Sequence, residues 1–285
     1  ENSKRMASAF GVWRSVQGLA LASLLAARGV RKKSLSRSGA VAAIVVASVT
    51  WSSGPRFGLT LIIFYQTGSW VTKVGSATKL RQDATARQGG QRGAAQVFSC
   101  SLVATCIAAC HALTGPNDSR DALVHAFVAF FACCAGDTFA SELGALSKAP
   151  PRLVTAPWRR VPPGTNGGVS LLGTAASALG GLLIGLAHGL AGFFLPPASS
   201  GDLALLASLG LVAGVVGSLV DSFLGALFQR TTYDDDRHCI ADHGRLVSGR
   251  DWLSNHGVNF VSAALTAALG PPIALGLLRI TTLFH

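Results

Sequence analysis

Asp137 and Glu142 fall inside one long apolar run and Asp221 inside another. An ionisable side chain in such a run is costly to hold away from water, so it marks a functional site or a structural ion pair. Carboxylates placed this way can hold Mg²⁺ through oxygen ligands or do acid–base work. Lys73 and Arg92 carry charge suited to phosphate oxygens, and Asn259 opens a further apolar run. Between the carboxylates in sequence lies Val161-Pro162-Pro163-Gly164-Thr165-Asn166-Gly167-Gly168-Val169-Ser170. Prolines end the preceding helix, and glycines let backbone N–H groups face outward where the next begins. Exposed N–H groups at a helix N-terminus attract anions, so Gly164, Thr165, Asn166, Gly167 and Gly168 form a candidate phosphate cradle.

The elements that must position these residues are membrane helices. The chain has 285 residues, 49% of them hydrophobic and only 13% charged, against about 25% charged in a soluble domain. The composition predicts an all-α, polytopic transmembrane bundle forming one multi-pass membrane domain. Eight spans are expected, at about 9–27, 38–54, 57–74, 94–114, 121–147, 168–193, 202–228 and 257–283. The chain begins at Glu1 rather than methionine, and the reading expects further residues upstream. The net charge of +11 implies no nucleic-acid partner, because Lys and Arg concentrate in alternate loops. Arg28, Arg31, Lys32, Lys33 and Arg37 occupy the first loop, and the third, fifth and seventh are similarly basic. This positive-inside pattern predicts cytosolic odd-numbered loops. The sequon Asn117-Asp118-Ser119 lies on the opposite side.

Segments six and seven carry small residues every fourth position, from Gly173 to Gly189 and from Gly210 to Ala226. Such stripes let helix backbones approach closely. The six cysteines contain no CxxC pair and read as buried, reduced thiols packing as small hydrophobes, Cys239 alone lying in a loop. Asp234-Asp235-Asp236 reads as a solvated acidic run beside basic residues, and no soluble domain is expected. No GxxxxGK[ST], GxGxxG, HExxH or GxSxG motif is present, which excludes P-loop, dinucleotide, zincin and serine-hydrolase chemistry of those types.

Orientation brings the candidate residues to one level. At 1.5 Å per residue, Asp137 lies about 15 Å and Asp221 about 10 Å from the cytosolic ends of their segments. Asn166 and Asn259 lie at that same face, and Lys73 and Gly89-Gly90-Gln91-Arg92 flank the third loop. A Mg²⁺-dependent phosphate or nucleoside-triphosphate site is one reading. Others are a structural pairing of Asp137 and Asp221 with Lys73 or Arg92, and an ion or substrate pathway.

At these motifs the sequence resembles the transmembrane-protein-19 family, also known as domain of unknown function 92. The resemblance rests on Lys32-Lys33-Ser34-Leu35, Thr72-Lys73, Gly89-Gly90-Gln91-Arg92, Ala135-Gly136-Asp137-Thr138 with Ala140-Ser141-Glu142, Gly164-Thr165-Asn166-Gly167-Gly168-Val169, Val220-Asp221-Ser222 and Val258-Asn259. It spans about residues 30–270. Trp70 departs from it, standing where relatives carry lysine, and the seventh loop has its own sequence. The resemblance implies a multi-pass membrane protein in the lipid bilayer. Plant members of the wider family are described as phytyl-phosphate kinases, which implies an isoprenoid-phosphate substrate, Mg²⁺ and a nucleoside triphosphate. On that implication Asp137, Glu142 and Asp221 are metal or acid–base residues, and Lys73, Arg92, Gly164 to Gly168 and Asn259 bind phosphate or nucleotide. Transport of a lipid phosphate or other anion, and a non-catalytic membrane scaffold, are the alternatives. Protein partners are not legible.

Overall fold

The computed structural model describes residues 2–74, 76–84, 91–114, 118–195 and 202–283. Ten helices and six short strands are present among them: α1 (Asn2–Arg31), α2 (Arg37–Ser53), α3 (Pro55–Val74), α4 (Ser76–Gln82), α5 (Ala94–Ser99), α6 (Leu102–Leu113) and α7 (Asp118–Gly144) come first. There follow β1 (Arg152–Leu153), β2 (Ala156–Arg160), β3 (Gly168–Val169), α8 (Leu171–Phe194), α9 (Leu203–Phe228), β4 (Thr231–Asp234), β5 (Cys239–Ala241), β6 (Arg245–Ser248) and α10 (Asn255–Thr282).

Four of these helices are long and apolar enough to cross a membrane, within α7, α8, α9 and α10. The eight expected spans are corrected accordingly. The expected fourth span, 94–114, is broken: α5 ends at Ser99 and α6 starts at Leu102. Ser101 Oγ donates to the Val97 carbonyl and Ser99 Oγ to the Gln96 carbonyl, the local bonding by which serines compete with a continuous helix. Helix α2 has 17 residues, at the short limit for a span of the bilayer core. Helices α1 and α3 have the length, at 30 and 20 residues, but polar and charged residues interrupt them, Arg14 in α1 and Arg56, Gln66 and Lys73 in α3.

Helix α7 is the centre of the bundle. Its most apolar stretch is 67% buried, against 33% for that of α10, and it packs on α3, α6, α8, α9 and α10. Phe127, Phe130 and Phe131 of α7 are fully enclosed, and Phe57 meets Phe127 edge to face at 4.7 Å. Between helices in lipid there is little hydrophobic driving force, so association depends on close van der Waals packing. The small-residue stripes supply it: a side chain at Gly181 would strike the Gly210 carbonyl, and one at Gly185 the Leu206 carbonyl. Helices α8 and α9 thus touch backbone to backbone, as α7 and α9 do at Gly136 and Gly214. His188 is fully buried, its Nδ1 2.9 Å from Thr60 Oγ1.

Two small antiparallel sheets cap one end, ordered β2-β1-β3 and β5-β4-β6. The sequence reading expected loops there. Gly168 and Val169 belong to β3, so the sixth segment begins as a helix only at Leu171, and Cys239 is a buried strand residue. Cys106 and Cys110 are exposed on α6 rather than buried. Asp234 caps its own turn, accepting from the N–H groups of Asp236 and Arg237, and Asp235 pairs with Arg245 at 3.3 Å.

The odd-numbered loops meet at this end. Leu35 bridges Arg92, joining the first loop to the third, and Asp83 bridges Ile240, joining the third to the seventh. Arg159 Nη2 donates to the Val247 carbonyl, joining the fifth to the seventh.

Candidate functional site

Beneath those loops lies a cavity of about 870 Å³, within the range of small-molecule sites. Its wall includes Asp137 and Glu142 of α7, Asp221 of α9, Asn259 of α10, Arg92, and the whole of Gly164–Gly168. Ten of the eleven residues singled out by sequence therefore face one space. Lys73 is the exception, lining a separate, smaller pocket. Gly89, Gly90 and Asn117 lie outside the described residues.

The carboxylates are half-buried or buried and differently held. Ser262 Oγ donates to Asp221 Oδ2 at 2.8 Å across α9 and α10. Asp137 stands on α7 and shares the cavity wall with Asp221. Glu142 is 7% exposed. Its Oε1 accepts from Lys79 Nζ at 2.9 Å, and its Oε2 is buried without a partner among the described residues. The cation beside the carboxylates is thus Lys79 of α4, which sequence reasoning counted only towards orientation. Helix α4 is held there by a second bond, Gln82 Nε2 to the Ala145 carbonyl at 3.1 Å.

Arg92 is fixed at both backbone and side chain. Its N–H donates to the Ser34 carbonyl and its carbonyl accepts from Ser36 N–H, each at 3.0 Å. Its Nη1 donates to Ser69 Oγ at 2.6 Å and the guanidinium sits 5.5 Å from the Tyr65 ring centre. Burial lowers its pKa from the usual arginine value, opposed by the charges of Tyr65, Cys100 and Glu142; a guanidinium nevertheless stays protonated.

The glycine loop is more internally bonded than a free anion cradle. Thr165 N–H donates to the Pro162 carbonyl, Gly168 N–H to the Thr165 carbonyl, and Asn166 N–H to Thr231 Oγ1 at 3.2 Å. Gly164 and Gly167 take φ of +88° and +80°, the left-handed region that glycine enters without cost. A side chain at Gly167 would also be pressed against Ser222 and Ala226 of α9. The loop therefore forms the lip of the cavity and seats it on α9. The start of α8 is capped by its own Ser170, whose Oγ accepts from Gly173 N–H at 3.1 Å.

Ser262 was missed by sequence reasoning. Asn259, Ser262 and Thr266 fall three and four residues apart in an otherwise apolar run, and that polar ridge is the signal that identifies it.

The cavity has a second character. Away from the charges its wall is Ala22 and Leu25 of α1, Val46 and Ala47 of α2, and Leu61 and Phe64 of α3. Polar groups under the loops and apolar side chains of the first three helices thus line one and the same cavity.

Mg²⁺ prefers oxygen ligands, keeps several waters, and is held by one or two carboxylates together with phosphate oxygens. Asp137 and Asp221, from adjacent helices and open to one cavity, fit that demand. Among the described residues no three His, Cys, Asp or Glu side chains converge as a closed cage.

The model of a family described as integral membrane protein DUF92 matches residues 20–267. Protein PGR of Arabidopsis thaliana is 38% identical over 276 residues, 90% of this chain and 95% of that protein. Protein VTE6, chloroplastic, from the same plant is 27% identical over 268 residues, 93% of this chain and 73% of that protein. An uncharacterized membrane protein of Synechocystis is 29% identical over 239 residues, 84% and 82% respectively. No solved structure matches the chain. Four helices apolar enough to cross a membrane, carboxylates among them and a match across most of the length agree: this chain belongs to the DUF92 family of integral membrane proteins.

Proposed function

We propose that the protein transfers a phosphoryl group from a nucleoside triphosphate to an isoprenoid monophosphate, giving the diphosphate. The observation that carries this reading is the mixed wall of the cavity: carboxylates and cations under the loops, and apolar side chains of α1, α2 and α3. A prenyl phosphate has the same two parts. The resemblance to a family whose plant members are described as phytyl-phosphate kinases supports the same substrate class.

In the reaction, an oxygen of the acceptor phosphate bonds to the γ-phosphorus while the bond from that phosphorus to the β-bridging oxygen breaks. A phosphate monoester has a second pKa of about 6, so the acceptor is largely dianionic at neutral pH and needs no strong base. Glu142 then serves by holding Lys79 in place, since one of its oxygens is already occupied by that ammonium. Lys79 and Arg92 offset phosphate charge as it redistributes. Asp137 and Asp221 would hold Mg²⁺, which when bound supplies neutralising charge to the phosphates. The apolar side chains of α1, α2 and α3 align the tail so that the acceptor oxygen faces the γ-phosphorus, and the closed lip of Gly164–Gly168 limits water.

Purified protein with Mg²⁺, a panel of nucleoside triphosphates and isoprenyl monophosphates of several lengths should form diphosphate. A folded protein that forms none with any nucleotide, yet moves a lipid phosphate or other anion across vesicles, would be a transporter instead.

A further inference from the structure

The smaller pocket that contains Lys73, of about 210 Å³, opens between the C-terminal ends of α1 and α3. Arg28, Lys32 and Lys73 stand around it, Ser34, Tyr65 and Ser69 contribute hydroxyls, and its lining holds no carboxylate. Among the described residues, no carboxylate pairs with any of the three cations. Arg28 and Lys73 complement the carbonyl ends of their helices, but Lys32 lies beyond α1. Three like charges around one small space produce a positive potential that an anion relieves.

The surroundings define what kind of anion. Trp70 lines the pocket and is 67% exposed, so cationic and apolar surfaces adjoin. A pocket this size is below the ~300–1,000 Å³ of a site enclosing a whole drug-sized ligand, and it suits a headgroup whose tails lie outside. Trp70 is suited to the lipid–water boundary, where indole rings concentrate. We infer that Arg28, Lys32 and Lys73 form a binding site for the phosphate group of an anionic lipid at the membrane surface, distinct from the carboxylate cavity.

The two sites share a wall. Tyr65 and Leu25 line both. Tyr65 Oη is 2.7 Å from Ser34 Oγ, and Arg92 lies over the Tyr65 ring while bonding Ser69. Tyr65 and Leu25 thus stand between bound headgroup and candidate phosphate site. The inference does not depend on the phosphotransferase reading.

The test is native mass spectrometry of the full chain in detergent, titrated with dioleoyl phosphatidic acid or dioleoyl phosphatidylcholine. The anionic lipid should be retained in preference, and each of Arg28→Gln, Lys32→Gln and Lys73→Gln should lower that retention by about fivefold. Single variants are used because the three side chains are exposed and their loss should leave the fold intact, which a melting curve checks. Persistence of the adduct in 10 mM inorganic phosphate assigns the site to lipid headgroups; its displacement assigns it to phosphate in general. Equal retention of the two lipids, or retention unaffected by all three substitutions, overturns the proposal.

Discussion

Asp137 and Asp221 reach the cavity from neighbouring helices, and Asp221 has one oxygen already held by Ser262. Asparagine keeps their shape and removes their charge. Asp137→Asn and Asp221→Asn are each expected to lower turnover by a hundredfold or more, as loss of a charge-stabilising group does to within about tenfold, with an unchanged melting temperature. Retained turnover in both variants would remove them from the mechanism. At Lys79 and Glu142, a double-mutant cycle to glutamine should show a coupling of about 0.2–1 kcal/mol in thermal stability, since Lys79 is partly exposed. Zero coupling would mean that the ion pair does not position Lys79. The carboxylates were legible because charge inside an apolar run stands out. Lys79 was not, because its partner is 63 residues away in sequence and only folding reveals the pair.

The last four helices could be read from sequence to within a few residues, because each is a long, nearly uninterrupted apolar run. Their contacts could be anticipated too, from glycine spacing. The first half was harder: α5 and α6 form one apolar run in sequence, and the break at Cys100 and Ser101 leaves no mark in its apolar pattern. The sheets were illegible because strands of two to five residues leave no measurable alternation. The glycine contacts give a paired prediction. Gly185→Val forces α8 away from the Leu206 carbonyl and should destabilise by about 1–3 kcal/mol. Gly276→Ala on α10 meets nothing within 4 Å and should be neutral or stabilising by up to about 1 kcal/mol. Melting in a fixed detergent distinguishes the two, and equal effects would argue against backbone contact between α8 and α9.

For the whole molecule, the expected convergence of the basic loops is realised as a physical assembly, with bridges from the first loop to the third, the third to the seventh and the fifth to the seventh. Single cysteines introduced at Lys33, Trp158 and Asp235 should react with an impermeant maleimide from the same side of sealed vesicles, and the positive-inside rule predicts that this side is the cytosolic one. A split pattern would contradict the common end. The apolar part of the cavity wall makes a second demand at this scale: Val46→Trp should narrow the cavity and shift preference towards shorter prenyl chains, read as turnover against chain length. The most direct test follows the phosphoryl group itself. Purified protein is given a nucleoside triphosphate labelled at the γ-phosphate, Mg²⁺ and an isoprenyl monophosphate. The account predicts label in the terminal phosphate of the isoprenyl diphosphate, and its loss in Asp137→Asn. Label remaining in nucleotide and free phosphate alone, with the protein shown to be folded, would contradict it.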